Sequence, residues 1–325
     1  MTLLAGDVGG TNARLATVTV AGGRARIETQ RRYQSRDFPG LGPIVRRFCE
    51  ETGARPERAC YAVACPVVGA RCSTPNLPWT LDATELAAST GIASTVLVND
   101  FAAVGHATLL LGPEDLVTLQ EGREEPHGPR AIIGAGTGLG QGFLVWDGGR
   151  YRVCGSEGGH TSFAARNTLE WGLAESLLAE YPHASWERVL SGAGLAHVYR
   201  YLAARRVAPE RDQVREEMAR EDPAAVVTRR ALDGSDELCT RTLELWVSVY
   251  GAQAGHLALT VLATGGVYVA GGIAPRIVEK LRGGTFMAAF RDQGRMADLA
   301  GRVPVHVIVN PDVGLLGAAA VAAEP

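Results

Sequence analysis

The sequence predicts an α/β protein of two domains, and three observations carry that prediction. Short apolar, strand-like runs alternate with segments of helical spacing, the pattern of α/β architecture. A strand–glycine turn–strand module occurs twice, around Gly9 and again around Gly136, which points to two related halves facing one cleft. At roughly 150 residues per domain, a chain of 325 residues suggests two cores rather than one.

The elements follow in order. Leu3-Leu4-Ala5 is a short apolar run, and Gly6-Asp7-Val8-Gly9-Gly10-Thr11-Asn12 is expected to turn the chain into an antiparallel strand from Ala13 to Val20. Gly40 to Thr52 has helical spacing, and Ala59 to Ala64 reads as a strand. Val96-Leu97-Val98 is expected as a short buried strand ending at Asn99-Asp100, with helix-compatible sequence from Phe101 to Leu111. A domain break is expected near Gly112-Pro113. Ala131-Ile132-Ile133 then runs into Gly134-Ala135-Gly136-Thr137-Gly138-Leu139-Gly140, Gly142 to Trp146 reads as a strand, and Gly149-Arg150 suits the tip of the next hairpin. Asn167 to Ala179 and Glu237 to Leu262 read as helices, whereas Arg200 to Arg230, dense in Arg and Glu, reads as a solvated helical excursion. Val267 to Ala270 is an apolar strand running into Gly271-Gly272-Ile273. Leu245 to Pro275 has no Asp, Glu, Lys or Arg, but Gln253, His256 and two glycine pairs interrupt it, so a buried helix and a buried strand are expected, not a membrane span.

Composition excludes several functions. Apolar residues make up 46% and charged residues 21%, ordinary values for a globular chain. The net charge of −3 provides no global field for nucleic acid or an anionic membrane, so neither is expected as a partner. Lys280 is the only lysine among 32 basic residues, and no glycine loop precedes it. A P-loop ATPase and a protein kinase each need a lysine on the phosphates, so both are excluded. The six cysteines form no C-x-x-C pair, and Met1 to Gly10 lacks a basic segment followed by an apolar one. Reduced thiols in a cytoplasmic protein are the expectation.

The glycine turns are the first candidates for chemistry. Successive N–H groups in a tight turn make a concave anion site, and Thr11 and Thr137 each add a hydroxyl. One such turn is an ordinary hairpin; two between apolar strands point to a clamp for nucleotide phosphates. A dinucleotide fingerprint fails on register, since G-x-G-x-x-G counted from Gly134 or Gly136 ends on Leu139 or Gln141. Asp7 suits a magnesium ion, directly or through water, or else caps a turn. Asp100, after a strand, suits a general base or a helix cap, and the residues alone leave both open. Glu157 and His160, separated by two glycines, offer acceptors and a donor suited to vicinal sugar hydroxyls, and no third ligand nearby supports zinc. Glu187 by itself reads as one surface helix charge among many.

Taken together, these residues closely resemble the bacterial glucokinases of the Escherichia coli type, within the hexokinase, actin and Hsp70 ATPase superfamily. The resemblance runs nearly end to end. It rests on Gly6 to Ala16, Ala64-Cys65-Pro66, Val98-Asn99-Asp100-Phe101, Gly134 to Gly140, Glu157-Gly158-Gly159-His160, Glu187 to Gly192, Ala270 to Arg276 and Gly314-Leu315-Leu316-Gly317. It implies a two-domain, actin-like (ribonuclease H-like) ATPase fold with a nucleotide and sugar cleft between domains. The smaller α/β domain would comprise residues 1–110 with 301–325, and the larger α+β domain residues 111–300. It implies ATP- and Mg²⁺-dependent phosphorylation of D-glucose at its 6-hydroxyl, the first step of glycolysis, by a homodimer. Asp100 would be the base, and Asn99, Glu157, His160 and Glu187 would hold sugar hydroxyls. Gly6, Asp7, Val8, Gly9, Gly10 and Thr11, with Gly136, Thr137 and Gly138, would hold phosphates, and Gly271 and Gly272 would lie near the adenosine. Asp7 would face the metal.

The chain departs from the family at three places: Thr74-Pro75-Asn76, where Thr-Asn is commonly contiguous; Ala193, commonly proline; and Gln293, commonly lysine. The first puts a sugar contact by Asn76 in doubt. Three rivals are a kinase for fructose, mannose or an amino sugar, a sugar-responsive repressor and an actin-like motor. With five residues ahead of Gly6, no DNA-reading helix pair is expected. A motor needs no hydroxyl-binding loop such as Glu157 to His160.

Overall fold

The computed structural model describes residues 2–74 and 77–324, so Asn76 lies outside the described residues. The strands, in chain order, are β1 (Leu3–Val8), β2 (Asn12–Ala21), β3 (Arg24–Gln34), β4 (Arg58–Val63), β5 (Arg71–Ser73), β6 (Thr80–Asp82), β7 (Ser94–Asn99), β8 (Leu116–Gln120), β9 (Arg130–Ala135), β10 (Leu139–Trp146), β11 (Tyr151–Ser156), β12 (Val267–Ala270) and β13 (Val305–Ile308). The chain divides into two compact units. Unit 1 takes the chain up to Leu116, Val153–Gly155 and the segment from Asn310 onward; unit 2 takes Val117–Arg152 and Ser156–Val309.

The sheet of unit 1 has the order β3-β2-β1-β4-β7. β1 is antiparallel to β2 and parallel to β4, and β4 is parallel to β7. Parallel strands are covered on both faces, so their sequences read as continuous apolar runs. Side chains alternate between the two faces. Leu4, Val8, Tyr61 and Val63 join the helix Leu41–Thr52, through Ile44 and Phe48, in one core. Leu3, Ala5, Cys60 and Ala62 join the helix Val313–Ala323, through Leu315, Ala318 and Ala319, in the other. Small residues line this second face and let helices approach closely. A side chain at Gly317 would run into the Ala103 backbone in the helix Asp100–Ala107. Leu97 is buried, but Val96 is 40% exposed, unlike the buried strand expected, because β7 is the last strand of its sheet.

Unit 2 repeats this arrangement. Its sheet has the order β11-β10-β9-β12-β13-β8, with β10 antiparallel to β9, and β12 parallel to both β9 and β13. Its core is built on the 25-residue helix Glu237–Val261, whose first turn is capped by Asp236. Trp246, Val249, Tyr250 and Ala254 of that helix are fully buried. Hence the stretch that lacks charge is helix and strand interior; among the described residues no helix is long and apolar enough to cross a membrane.

Two expectations need correction. β1 continues through Gly6, Asp7 and Val8, and β9 through Gly134 and Ala135, so each turn is only three residues, Gly9–Thr11 and Gly136–Gly138. The extra residues are paired in the ladders, with Asp7 opposite Arg14 on β2 and Ala62 on β4. The Arg- and Glu-rich segment is not merely solvated. It forms the helices Gly192–Ala204, Asp212–Arg220 and Pro223–Leu232, and Val214, Val226, Val227 and Ala231 are buried. Its charges pair with one another on the outside, Glu217 with Arg229 and Arg230.

Gly317→Val should lower the stability of the protein by about 1–3 kcal/mol, the usual cost of overpacking a tight contact. A urea titration followed by circular dichroism measures it.

Candidate active site

In unit 1 the named residues collect where the parallel strands end, the edge at which α/β proteins bind ligands. Val8 and Val63 are register partners, as are Val63 and Asn99, so the ends of β1, β4 and β7 lie side by side. Asp7 is the second-last residue of β1, Ala64-Cys65-Pro66 follows β4, and Asn99-Asp100 closes β7. The bend after β1 is closed by Gly9 N–H donating to Asn12 C=O (2.9 Å), and Ser35 Oγ donates to Gly9 C=O (3.0 Å). Among the described residues the N–H groups of Gly10 and Thr11 meet no acceptor.

Asn99, not Asp100, is the helix cap. Its Oδ1 accepts from the N–H groups of Phe101 (2.9 Å) and Ala102 (3.2 Å), and its Nδ2 donates to Cys65 C=O (3.3 Å). The capping alternative for Asp100 therefore falls to its neighbour. Asp100 Oδ1 shares the Phe101 N–H (2.8 Å), and the Asn99 side chain lends the carboxyl a weaker hydrogen bond. Burial pushes the Asp100 carboxyl upward from its ordinary value; the Phe101 N–H opposes this, and the nearby charge of Asp7 adds to it.

Asp7 has a partner of its own. Arg14 Nε and Nη2 both donate to Asp7 Oδ2, at 3.2 and 2.5 Å. Arg14 Nη1 donates to Asp312 Oδ1 (2.9 Å) and Pro311 C=O (3.0 Å). Arg14 thus ties the first hairpin to the start of the helix Val313–Ala323. Asp7 Oδ1 remains without a partner among the described residues, an oxygen available to a hard cation.

In unit 2 the sequence-predicted residues also converge. Glu157 precedes the short 3₁₀ turn Gly158–His160, and Glu187 lies in the turn of helix Trp186–Val189. His160 Nε2 is 3.6 Å from Glu157 Oε2, and His160 Nδ1 is 3.8 Å from Glu187 Oε1. Glu157 and His160 are largely exposed, at 78% and 60% of their side chains, and so open to a ligand. Glu187 is no idle surface charge: its Oε2 accepts the Leu139 N–H (2.9 Å) at the end of the second bend. That bend is held further by Gly136 N–H donating to Gly138 C=O (2.8 Å) and Gly192 N–H donating to Gly136 C=O (2.9 Å).

The third bend, Gly271-Gly272, leaves β12 with Gly271 at φ +83°, where its Cα rests against the Ala135 backbone and leaves no room for a side chain. Among the described residues the N–H groups of Thr137, Gly138, Gly271 and Gly272 meet no acceptor. A cavity of about 970 Å³ opens beside the two bends. Gly136, Thr137, Gly272 and Arg276 form part of its wall, and Ala224 and Thr228 of the helix Pro223–Leu232 form another part. Sequence reasoning missed that helix wall. The signal was the spacing of Val226, Val227 and Ala231, which anchors one face of the helix and turns Thr228 and Arg229 the other way.

Two sheets of this order, with unpaired N–H groups at glycine bends on their carboxyl edges, define an α/β protein of the actin-like fold. Comparison with known proteins narrows this to one family. A model of the glucokinase family matches residues 4–325. A glucokinase of Nostoc sp. is 44% identical over 338 residues, with 99% of each chain covered. The solved glucokinase of an Antarctic psychrotroph is 34% identical, with a TM-score of 0.88 over 99% of this chain and 98% of that one. A ROK family glucokinase from Streptomyces griseus, solved with glucose and AMPPNP, shares the fold at 20% identity, with a TM-score of 0.66 and 99% of each chain covered. The chain belongs to the glucokinase family, and its activity is the phosphorylation of glucose.

Asp100 has a direct consequence for stability. A carboxyl whose folded value is raised favours the fold when protonated, and that contribution is lost as pH rises through the folded value. Asp100→Asn removes the desolvated charge and keeps the oxygen that accepts from Phe101. The variant should therefore melt at a higher temperature than the parent at pH 7, with the gap closing as pH falls below the ordinary aspartate range. Thermal melts across pH 3–8 follow it.

Proposed function

We propose that Asp100 is the general base of this glucokinase reaction, taking the proton of the glucose 6-hydroxyl as that oxygen attacks the γ-phosphorus of ATP. One O–P bond forms, the bond from phosphorus to the leaving oxygen of ADP breaks, and the proton passes to Asp100 Oδ2. The observation that carries this reading is the environment of that carboxyl: desolvated, at the end of a parallel strand, with Oδ1 anchored on the Phe101 N–H. A base with a raised proton affinity transfers protons better near neutral pH than an ordinary aspartate does.

Asn99, Glu157, His160 and Glu187 hold the sugar hydroxyls in this reading. The 3.6 and 3.8 Å spacings in the unit 2 trio support it, because acceptors and a donor at that separation match neighbouring hydroxyls on a ring. Asn99 has spent its Oδ1 on the helix cap, so only its remaining amide hydrogen is free to donate to a sugar oxygen.

The nucleotide phosphates lie on the bends Gly9–Thr11 and Gly136–Gly138, and the adenosine lies in the cavity by Gly271, Gly272 and the helix Pro223–Leu232. The free N–H groups support this assignment, and they also explain how a chain with one lysine manages polyphosphate. The Streptomyces griseus relative was solved with ligands of both kinds that this reading requires. Asp7 Oδ1 would hold a magnesium ion through water, and an ion bound there offsets charge on the phosphates. Positioning and charge offset supply most of the catalysis in such transfers.

Asp100→Asn should lower kcat by about 10²–10⁴-fold while AMPPNP binding, read by calorimetry, stays within threefold of the parent. Turnover near the parent's value would remove Asp100 as the base. In the parent, the acid limb of kcat/KM should fall at a pH above the ordinary aspartate value, as the raised carboxyl protonates. Glu157→Gln should raise the glucose KM about tenfold and leave the ATP KM unchanged, since a neutral amide accepts a hydroxyl less strongly than a carboxylate does. An unchanged glucose KM would take Glu157 out of the sugar site.

A further inference from the structure

Tyr250 belongs to no motif named above, yet its hydroxyl stands where β9 and β12 part. The β9–β12 ladder runs from Ala131 paired with Val267 to Gly134 paired with Ala270, and there it stops. At the end of that last pair, Ala135 N–H donates to Tyr250 Oη (3.2 Å). The same oxygen lies 3.4 Å from Ile133 C=O and 3.4 Å from Ala270 C=O. A phenol has one proton, so it gives that proton to one strand's carbonyl while accepting from Ala135. The hydroxyl thus joins the last rung of the ladder, where the two strands begin to part.

The ring alone does not explain the hydroxyl. Tyr250 packs against Trp246 and Phe286, with ring centroids 5.0 and 5.6 Å away, and phenylalanine would fill that space equally well. Placing a phenol in a fully apolar position is costly unless the oxygen is used. What it holds is Ala135, the last residue before the Gly136–Gly138 bend. Ala135 C=O in turn accepts Ile273 N–H (3.2 Å) from the far side of the Gly271-Gly272 bend. Both bends therefore hang from one residue, Ala135, and Tyr250 holds that residue by its N–H.

We infer that Tyr250 is a positioning residue whose hydroxyl sets the spacing of the two glycine bends of unit 2, and through them the affinity for nucleotide. This rests on the reading that those bends hold the nucleotide. Without the hydroxyl, one carbonyl loses a donor and Ala135 N–H loses an acceptor, and the strand ends must shift to compensate.

The test compares Tyr250→Phe with the parent, by calorimetric titration with AMPPNP and by steady-state kinetics. The AMPPNP Kd and the ATP KM should rise about tenfold, with the glucose KM within twofold of the parent, a split that a general loss of packing does not produce. A folded Y250F with parental Kd and ATP KM overturns the proposal, and so does an equal rise in both KM values. Amide hydrogen exchange on the parent with AMPPNP decides the underlying reading separately. Exchange at residues 136–138 and 271–272 must slow; if it does and Y250F binds normally, only the role of Tyr250 falls. Should Y250F fail to fold, exchange in the free parent still decides. Ala135 N–H must exchange as slowly as interior ladder amides, and exchange as fast as the open bends overturns the proposal.

Discussion

A parallel strand that outruns its neighbours leaves backbone N–H groups with no carbonyl to meet, and this is the constraint on which the rest of the molecule depends. Both units place such ends on one sheet edge and close them with glycine bends. Gly10, Thr11, Thr137, Gly138, Gly271 and Gly272 present N–H groups that no described residue accepts. Elsewhere a fold would cap such groups. On the proposed function they serve as an anion-binding surface in a protein with a single lysine. The cores beneath serve this end: apolar runs on β1, β4, β9 and β12 bury the strands up to the point of departure and hold the bends in place.

The carboxylates on the same edge of unit 1 are treated differently. Asp7 has an arginine on one oxygen, and that arginine is anchored again by Asp312. Asp100 has no cation on it and pays for its position with desolvation. Two like side chains at the ends of β1 and β7, with β4 between them, thus meet different surroundings, and on the proposed function this separates a charge that stays from a proton acceptor.

Much of this was legible in the sequence, and the parts that were not share a cause. The bends showed through because glycine clusters between apolar runs have few other uses. Their length was overestimated: Gly6 and Gly134 sit inside strands, Gly6 against the Tyr61 ring, and there a glycine carries no turn signal. Glu157 and His160 stood out by their glycine flanks, but Glu187 looked like any helix charge until its bond to Leu139 placed it beside them. The helix Pro223–Leu232 was hidden by its composition, since a charged face that pairs with the next helix reads the same as a solvated one. Tyr250 was invisible, because a phenol in an apolar helix has the pattern of a core residue whatever its oxygen touches.

The helix Val313–Ala323 packs on the β1 face that holds Leu3 and Ala5. Its Gly314 touches Asp7, so the first strand of unit 1 meets its cover only when nearly the whole polypeptide has left the ribosome. Unit 2 lies wholly between those two segments in the chain and can fold earlier during synthesis. Through translation, β1, made first, therefore waits for a helix made late, and a truncated nascent product would have a finished unit 2 and an unfinished sheet in unit 1.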